Sequence, residues 1–284
     1  MRPPRVASAA FRRLSPRTRS ALLHRVGIFA PWEDGFDFTP PVPGPGLETG
    51  APDFVGVGVQ KAGTSWWYDL IVDHPGVSPM DGIPKELHYF SRFAVAPFGR
   101  REIDRYRGWF PRRPGTIIGE WTPDYLGYPW VAPLLARAAP EVKVLVILRD
   151  PVDRFRSGLS YRLRQGAPDS GAAVADATRQ GFYARVLRRL FADIDRDRVL
   201  VLQYEQCVDD PVTQLTETYR FLGLPDHTPA ELRRAINVSG PKLPFDPGAH
   251  RRLVDLYRAD VVDLVSLVPT LDLSLWPNFA ALAA

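Results

Sequence analysis

An α/β fold with a central parallel sheet flanked by helices is predicted by three features of this sequence of 284 residues. The apolar, β-branched run 54–59 breaks into a loop containing Gly, Lys and Thr-Ser, and residues after it return with helical spacing. The run 142–148 is almost continuously apolar, as a strand covered on both faces must be. Between and after these, strand-like and helix-like windows alternate, the pattern of crossover units feeding one sheet. A chain with 45% hydrophobic residues can bury a large core, and the alternation fits one domain over 52–284.

In chain order, residues 1–30 carry seven arginines and no acid, with Phe11, Leu14, Leu22, Leu23 and Val26 able to share a helical face. This basic amphipathic segment reads as a docking helix with a solvated Arg face, or as a peripheral contact with a membrane surface or acidic substrate. Arg12-Arg13 is not followed by the apolar stretch of roughly 7–15 residues that an export signal needs. The Pro/Gly-rich stretch 38–46 sustains neither helix nor interior strand, so 1–51 is read as extension and linker. Strands are expected at 54–59, 116–119, 142–148 and 199–203. Helices are expected at 65–72, 103–110, 131–138, 151–164, 182–194 and 211–222. The stretch 165–179 reads as a variable loop, 247–267 as a further amphipathic helix, and the Ala-rich end as packing or fraying.

Composition narrows the function. A net charge of +4 suits an anionic small ligand and is too mild for a nucleic-acid surface, so no nucleic-acid partner is expected. The single cysteine, Cys207, makes no internal disulfide, which fits a reducing, cytoplasmic setting, with membrane association left to the basic segment. No Cys/His cluster suggests a metal, and no uncharged apolar run reaches the roughly 18 residues of a spanning helix. The preference for Arg over Lys, with abundant Ala and Pro, fits a GC-rich bacterial genome.

The order strand, loop, helix at 54–67 presents backbone N–H groups and a helix N-terminus to an anion, with Lys61 adding a full charge. It is P-loop-like, yet in Gly58-Val59-Gln60-Lys61-Ala62-Gly63-Thr64-Ser65 the lysine precedes the last glycine. A Walker loop has lysine directly after that glycine and a hydroxyl beside it for magnesium, so a nucleoside triphosphate with magnesium is weakly supported. The motif resembles the 5′-phosphosulfate loop of sulfotransferases. A second element, Leu148-Arg149-Asp150-Pro151 with Ser157 two turns on, resembles that family's 3′-phosphate site. A guanidinium there matches phosphate oxygens in two hydrogen bonds. Lys85-Glu86-Leu87-His88-Tyr89-Phe90 and Gly119-Glu120-Trp121-Thr122-Pro123-Asp124-Tyr125 resemble the acceptor-pocket segments of the heparan-sulfate and bacterial glycan branch. Tyr204-Glu205 and Phe221-Leu222-Gly223-Leu224-Pro225 follow in the same order.

The resemblance implies the sulfotransferase fold and 3′-phosphoadenosine 5′-phosphosulfate as co-substrate, without a metal. The donor would be held by Lys61, Ala62, Gly63, Thr64, Ser65, Trp66, Arg149 and Ser157. Lys242, in a loosely matching late loop, would close over the adenosine phosphate. Glu86 is the expected catalytic base, its carboxyl raised by an apolar wall from Leu87, Tyr89 and Phe90, and Lys61 the cation on the leaving oxygen. His88 is the rival base; on an extended segment it shares a side with Glu86. The branch commonly has lysine where this chain has Trp121, which is expected to offer an aromatic floor to a sugar or aglycone, with Lys85 supplying charge from the other side. Tyr183 serves either nucleotide or core. The acceptor is a glycan, glycolipid or small molecule, and oligomeric state is open. The alternatives are a nucleotide-dependent kinase and a non-catalytic binder of polyanions or membrane surfaces.

Overall fold

The computed structural model describes residues 36, 38–80, 82–164, 170–232 and 246–283. Four strands form the main sheet: β2 (Phe54–Gly58), β4 (Gly119–Trp121), β5 (Lys143–Leu148) and β6 (Val199–Gln203), after a two-residue β1 (Glu48–Thr49) and β3 (Pro111–Arg112) that pair with each other. The main order is β4-β2-β5-β6 and every pairing is parallel. Parallel neighbours require crossovers, which places all four carboxyl ends along one edge. Val144 to Leu148 and the whole of β2 are buried, as the apolar runs predict. Glycine sets two close approaches. A Cβ on Gly56 would enter the Trp121 ring, and one on Gly119 would strike the Phe54 carbonyl oxygen of the neighbouring strand.

The helices are α1 (Thr64–Val72), α2 (Arg100–Arg107), α3 (Val131–Ala138), α4 (Pro151–Arg164), α5 (Ser170–Arg179), α6 (Tyr183–Asp193), α7 (Tyr204–Asp209), α8 (Pro211–Leu222) and α9 (Pro247–Leu267). Three expectations are corrected. The strand expected at 116–119 lies at Gly119–Trp121, because Ile117 is engaged as an isolated bridge to Val77. The helix expected at 103–110 runs over Arg100–Arg107, started by Glu102, whose carboxylate accepts the Gly99 N–H at 2.9 Å. The loop expected at 165–179 contains α5, anchored by the fully buried Arg154, whose guanidinium donates to the Ala177 carbonyl and to Gln180.

Buried aromatics lie near both ends of the described residues. Phe36 and Phe38 are buried, with Phe38 edge-on to Tyr89 at 5.4 Å and its carbonyl accepting the Trp109 indole at 3.2 Å. At the other end Trp276 and Phe279 are buried, and Asn278 donates through its backbone and side chain to Asp150. The Ala-rich end itself is exposed at Ala280, Ala281 and Ala283, and only Leu282 is partly covered. The basic segment 1–30 and Lys242 lie outside the described residues. No described helix is long and apolar enough to cross a membrane.

Candidate active site

Between the end of β2 at Gly58 and the start of α1 at Thr64 the chain turns through two left-handed residues, Lys61 at φ 69° and Gly63 at φ 78°. Glycine is required at position 63 twice over: the conformation favours it, and a Cβ would come within 2.8 Å of the Tyr204 ring. The first intrahelical bond runs from the Trp67 N–H to the Gly63 carbonyl, so the N–H groups of Thr64, Ser65 and Trp66 have no acceptor within the helix. Trp66 is half-buried, its indole donating to the Leu232 carbonyl at 2.8 Å, while Trp67 is core.

Arg149 leaves the end of β5 and meets this loop. Its Nη1 donates to the Lys61 carbonyl at 3.0 Å, its Nη2 lies 3.7 Å from Asp153, and its guanidinium sits 4.7 Å over the Tyr204 ring. Its Nε is buried with no hydrogen-bond partner among the described residues, a donor suited to an anion's oxygen. Tyr183, fully buried, donates to the Arg149 carbonyl at 2.8 Å and so belongs to the core beneath the site. Asp150 caps α4 through the Val152 N–H, and Glu205 accepts the Asp150 N–H at 3.0 Å and the Trp276 indole at 2.8 Å, locking the turn after Arg149. Ser157 is buried in α4.

Opposite Arg149, the segment 85–88 lies against β4. Glu120, wholly buried, accepts from the Leu87 N–H at 3.1 Å, Thr122 at 2.6 Å, Tyr106 at 3.0 Å and Tyr125 at 3.2 Å. This fixes the backbone from which Glu86 and His88 project. The two do meet, His88 Nε2 lying 3.4 Å from Glu86 Oε2, but not through an extended segment: His88 is left-handed at φ 48°. Lys85 Nζ donates to Glu86 at 2.7 Å and to the Trp121 carbonyl at 3.3 Å.

Two expectations fail here for physical reasons. Burial does push the Glu86 carboxyl up, but the hydrogen bond from His88 and the charge of Lys85 outweigh it, leaving Glu86 at about 2. Trp121 is fully buried, lies over Gly56 and donates to the Gly58 carbonyl at 3.3 Å, so it is core and no floor for an acceptor. Lys85 brings its cation to the Trp121 backbone instead.

Lys61 faces the same space. Its Nζ sits 3.3 Å from the centroid of the Tyr161 ring, contributed by α4. Burial lowers its ammonium, Glu86 partly restores it and Arg164 lowers it again, to about 8. Gln60, one residue earlier, donates to Asp124 at 2.5 Å. Tyr161 carried no sequence signal, and Tyr204, Asp124 and Gln60 stood only within resembling segments, with no role of their own. Each acquires its place through a contact between segments distant in the chain.

A loop with unengaged helix N–H groups at the carboxyl edge of a parallel sheet, with a guanidinium from the neighbouring strand and a carboxylate whose field acts on the lysine, makes an α/β site whose donors suit an anionic ligand. The model of the sulfotransferase family matches residues 113–229. Mouse heparan sulfate glucosamine 3-O-sulfotransferase 6 is 29% identical over 199 residues, covering 65% of this chain and 56% of that protein. Human bifunctional heparan sulfate N-deacetylase/N-sulfotransferase 3 is 26% identical over 202 residues, 62% of this chain and 23% of that one. The chain thus spans between about a quarter and about half of the length of these curated relatives. Among solved structures, a sulfotransferase from Alicyclobacillus acidocaldarius superposes with TM-score 0.64 at 24% identity, covering 79% of this chain and 98% of that one. Mouse sulfotransferase SULT7A1, solved with PAP, gives 0.50 at 16% identity, covering 78% of this chain and 89% of that one. The chain is similar to the sulfotransferase family over these residues and has the fold of the solved sulfotransferases.

Proposed function

We propose that the protein moves a sulfuryl group from 3′-phosphoadenosine 5′-phosphosulfate to a hydroxyl or amine of a glycan, glycolipid or small molecule. The observation that carries this reading is the bond from Arg149 to the Lys61 carbonyl, which joins two anion-binding segments 88 residues apart into one cradle. The residues fit the donor. The buried, unengaged Arg149 Nε suits a 3′-phosphate oxygen, and the N–H groups of Thr64, Ser65 and Trp66, which have no acceptor within α1, suit the phosphosulfate. The donor supplies the sulfuryl group and a phosphate leaving group.

The chain's residues then divide the work. Glu86, ionised at neutral pH, takes the acceptor's proton as the acceptor oxygen or nitrogen bonds to sulfur. Lys61 offsets the charge that builds on the bridging oxygen as its bond to sulfur breaks. Lys85 and His88 hold the Glu86 carboxylate from both oxygens. The heparan-directed activities in the names of the curated relatives make a sugar hydroxyl or amine the first acceptor to try.

Calorimetry with adenosine 3′,5′-bisphosphate against ATP and magnesium separates this reading from a kinase, with binding of the bisphosphate alone expected. Lys61→Ala and Arg149→Ala should each lose it by at least about tenfold, since a charge-assisted bond contributes roughly 1.5–3 kcal/mol. Glu86→Gln should retain donor binding and lose on the order of a hundredfold or more in turnover. Transfer by Glu86→Gln at the wild-type rate would remove Glu86 as base and leave His88.

A further inference from the structure

Asp124 occupies a position that the donor and base assignments leave unused. It opens the short helical turn Tyr125–Gly127, directly after the Thr122-Pro123 pair that follows β4. Its Oδ1 accepts the Gln60 side-chain amide at 2.5 Å, and Gln60 is the residue before Lys61. The field of the same carboxyl acts on His88, whose backbone N–H donates to Thr122, two residues before Asp124, at 3.2 Å and whose ring lies against Glu86.

We propose that Asp124 is a positioning residue that ties the Glu86–His88 pair to the phosphosulfate loop, holding the loop through Gln60 while its charge acts on His88. The proposal rests on the sulfotransferase reading for its catalytic meaning. In-line transfer needs the proton acceptor at one end of the reacting axis and the Lys61 cation at the other. The two come from different segments, 85–88 and 59–63. Asp124 couples them: its hydrogen bond reaches the residue beside Lys61, its neighbour Thr122 accepts the His88 N–H, and its field acts on the partner of Glu86. A displacement of about an ångström between the ends costs on the order of a hundredfold in rate.

The charges agree with the geometry. His88 is held above its ordinary value: burial lowers it, but the bond to Glu86 and the fields of Asp124, Glu86 and Glu120 raise it more. Asp124 is itself raised by burial, lowered by His88, raised by Glu86 and by Asp176 of α5, and lowered by Arg162 of α4. Arg162 also pairs with Asp176 at 3.3 Å, and Lys85 pairs with Glu86 at 2.7 Å.

Two substitutions separate the halves of this role. Asp124→Asn keeps a carbonyl to accept the Gln60 amide and removes the charge; Asp124→Ala removes both. The His88 imidazole is followed by NMR titration in the full chain, its resonance assigned with His88→Gln, and adenosine 3′,5′-bisphosphate binding is measured by calorimetry. Both variants should lower the titration midpoint of His88. Asp124→Ala should weaken bisphosphate binding by about tenfold, the loss of roughly one charge-assisted bond, and Asp124→Asn by less than about threefold. An unchanged His88 midpoint in the soluble, folded Asp124→Asn protein overturns the proposal, as does wild-type bisphosphate affinity in Asp124→Ala. If Asp124→Ala fails to fold, Asp124→Asn still decides on the titration. Failure of the wild-type protein to bind the bisphosphate would sink the sulfotransferase reading instead, and the His88 titration would still report whether Asp124 acts on it.

Discussion

Lys61 and Glu86, the proposed leaving-side cation and base, are both held below their ordinary values, for different reasons. Burial and Arg164 bring the Lys61 ammonium down to about 8 against the pull of Glu86, and His88 with Lys85 brings the Glu86 carboxyl down to about 2 against burial. The sign follows for each. With Lys61 as the proposed cation, kcat/KM, which reports the free enzyme, should fall as pH rises through about 8. With Glu86 as the proposed base, ionised far below neutrality, no acid limb between pH 4 and 6, the usual carboxylate range, should arise from it. A pH–rate series in the presence of constant ionic strength checks both limbs. A plateau extending beyond pH 10, where an ordinary lysine titrates, would show that Lys61 is not held as the geometry has it. At this scale the motifs were legible because family resemblance marks residue types. What they could not carry was the balance of fields on Glu86: the apolar wall is real, but Lys85 and His88 are nearer and charged.

At the scale of elements, the sheet's carboxyl edge is set by glycines at its crossings. Gly119 sits where β4 passes β2, and a Cβ there would strike the Phe54 carbonyl oxygen, which is backbone and cannot turn aside. Gly119→Ala should therefore cost about 1–3 kcal/mol or more in chemical denaturation, with the β4 residues Glu120 and Trp121 displaced from under the site. Gly127→Ala, where nothing lies within 4 Å of the new Cβ, is the matched control and should change stability by less than about 0.5 kcal/mol. Equal stability of the two variants would mean that β4 can move off β2 freely. The strands at 54–59, 142–148 and 199–203 could be read from apolar runs. The displacement of the fourth to Gly119–Trp121 could not, because Ile117 is as apolar as a strand residue and its engagement with Val77 comes from another part of the chain. The α5 helix was hidden likewise: Ser170–Arg179 has weak periodicity, and the buried Arg154 that anchors it comes from α4.

At the scale of the molecule, the site is braced from both ends of the described residues. Asn278 and Trp276 bind Asp150 and Glu205 behind the donor cradle. Phe36 and Phe38 pack behind the acceptor side, Phe38 lying against Tyr89, with the Arg92 guanidinium 3.8 Å over its ring. The Pro/Gly-rich stretch that follows them reads as linker in sequence, since composition reports the absence of helix and strand and says nothing of what an isolated phenylalanine covers. Two shortened chains test the consequence. A chain starting at residue 31 keeps both phenylalanines and should match the full chain in denaturation midpoint and in bisphosphate affinity. A chain starting at residue 52 loses their burial, about 1.5–3 kcal/mol each, and strips the Trp109 indole of its carbonyl acceptor. It should lose several kcal/mol of stability or fail to accumulate as folded protein, and any remaining fold should show weakened acceptor-side order around Tyr89 before the donor cradle is affected. Equal denaturation midpoints for the two chains would show that the aromatic cluster around Tyr89 and Trp109 closes without Phe36 and Phe38, and that the domain is complete from residue 52 onward.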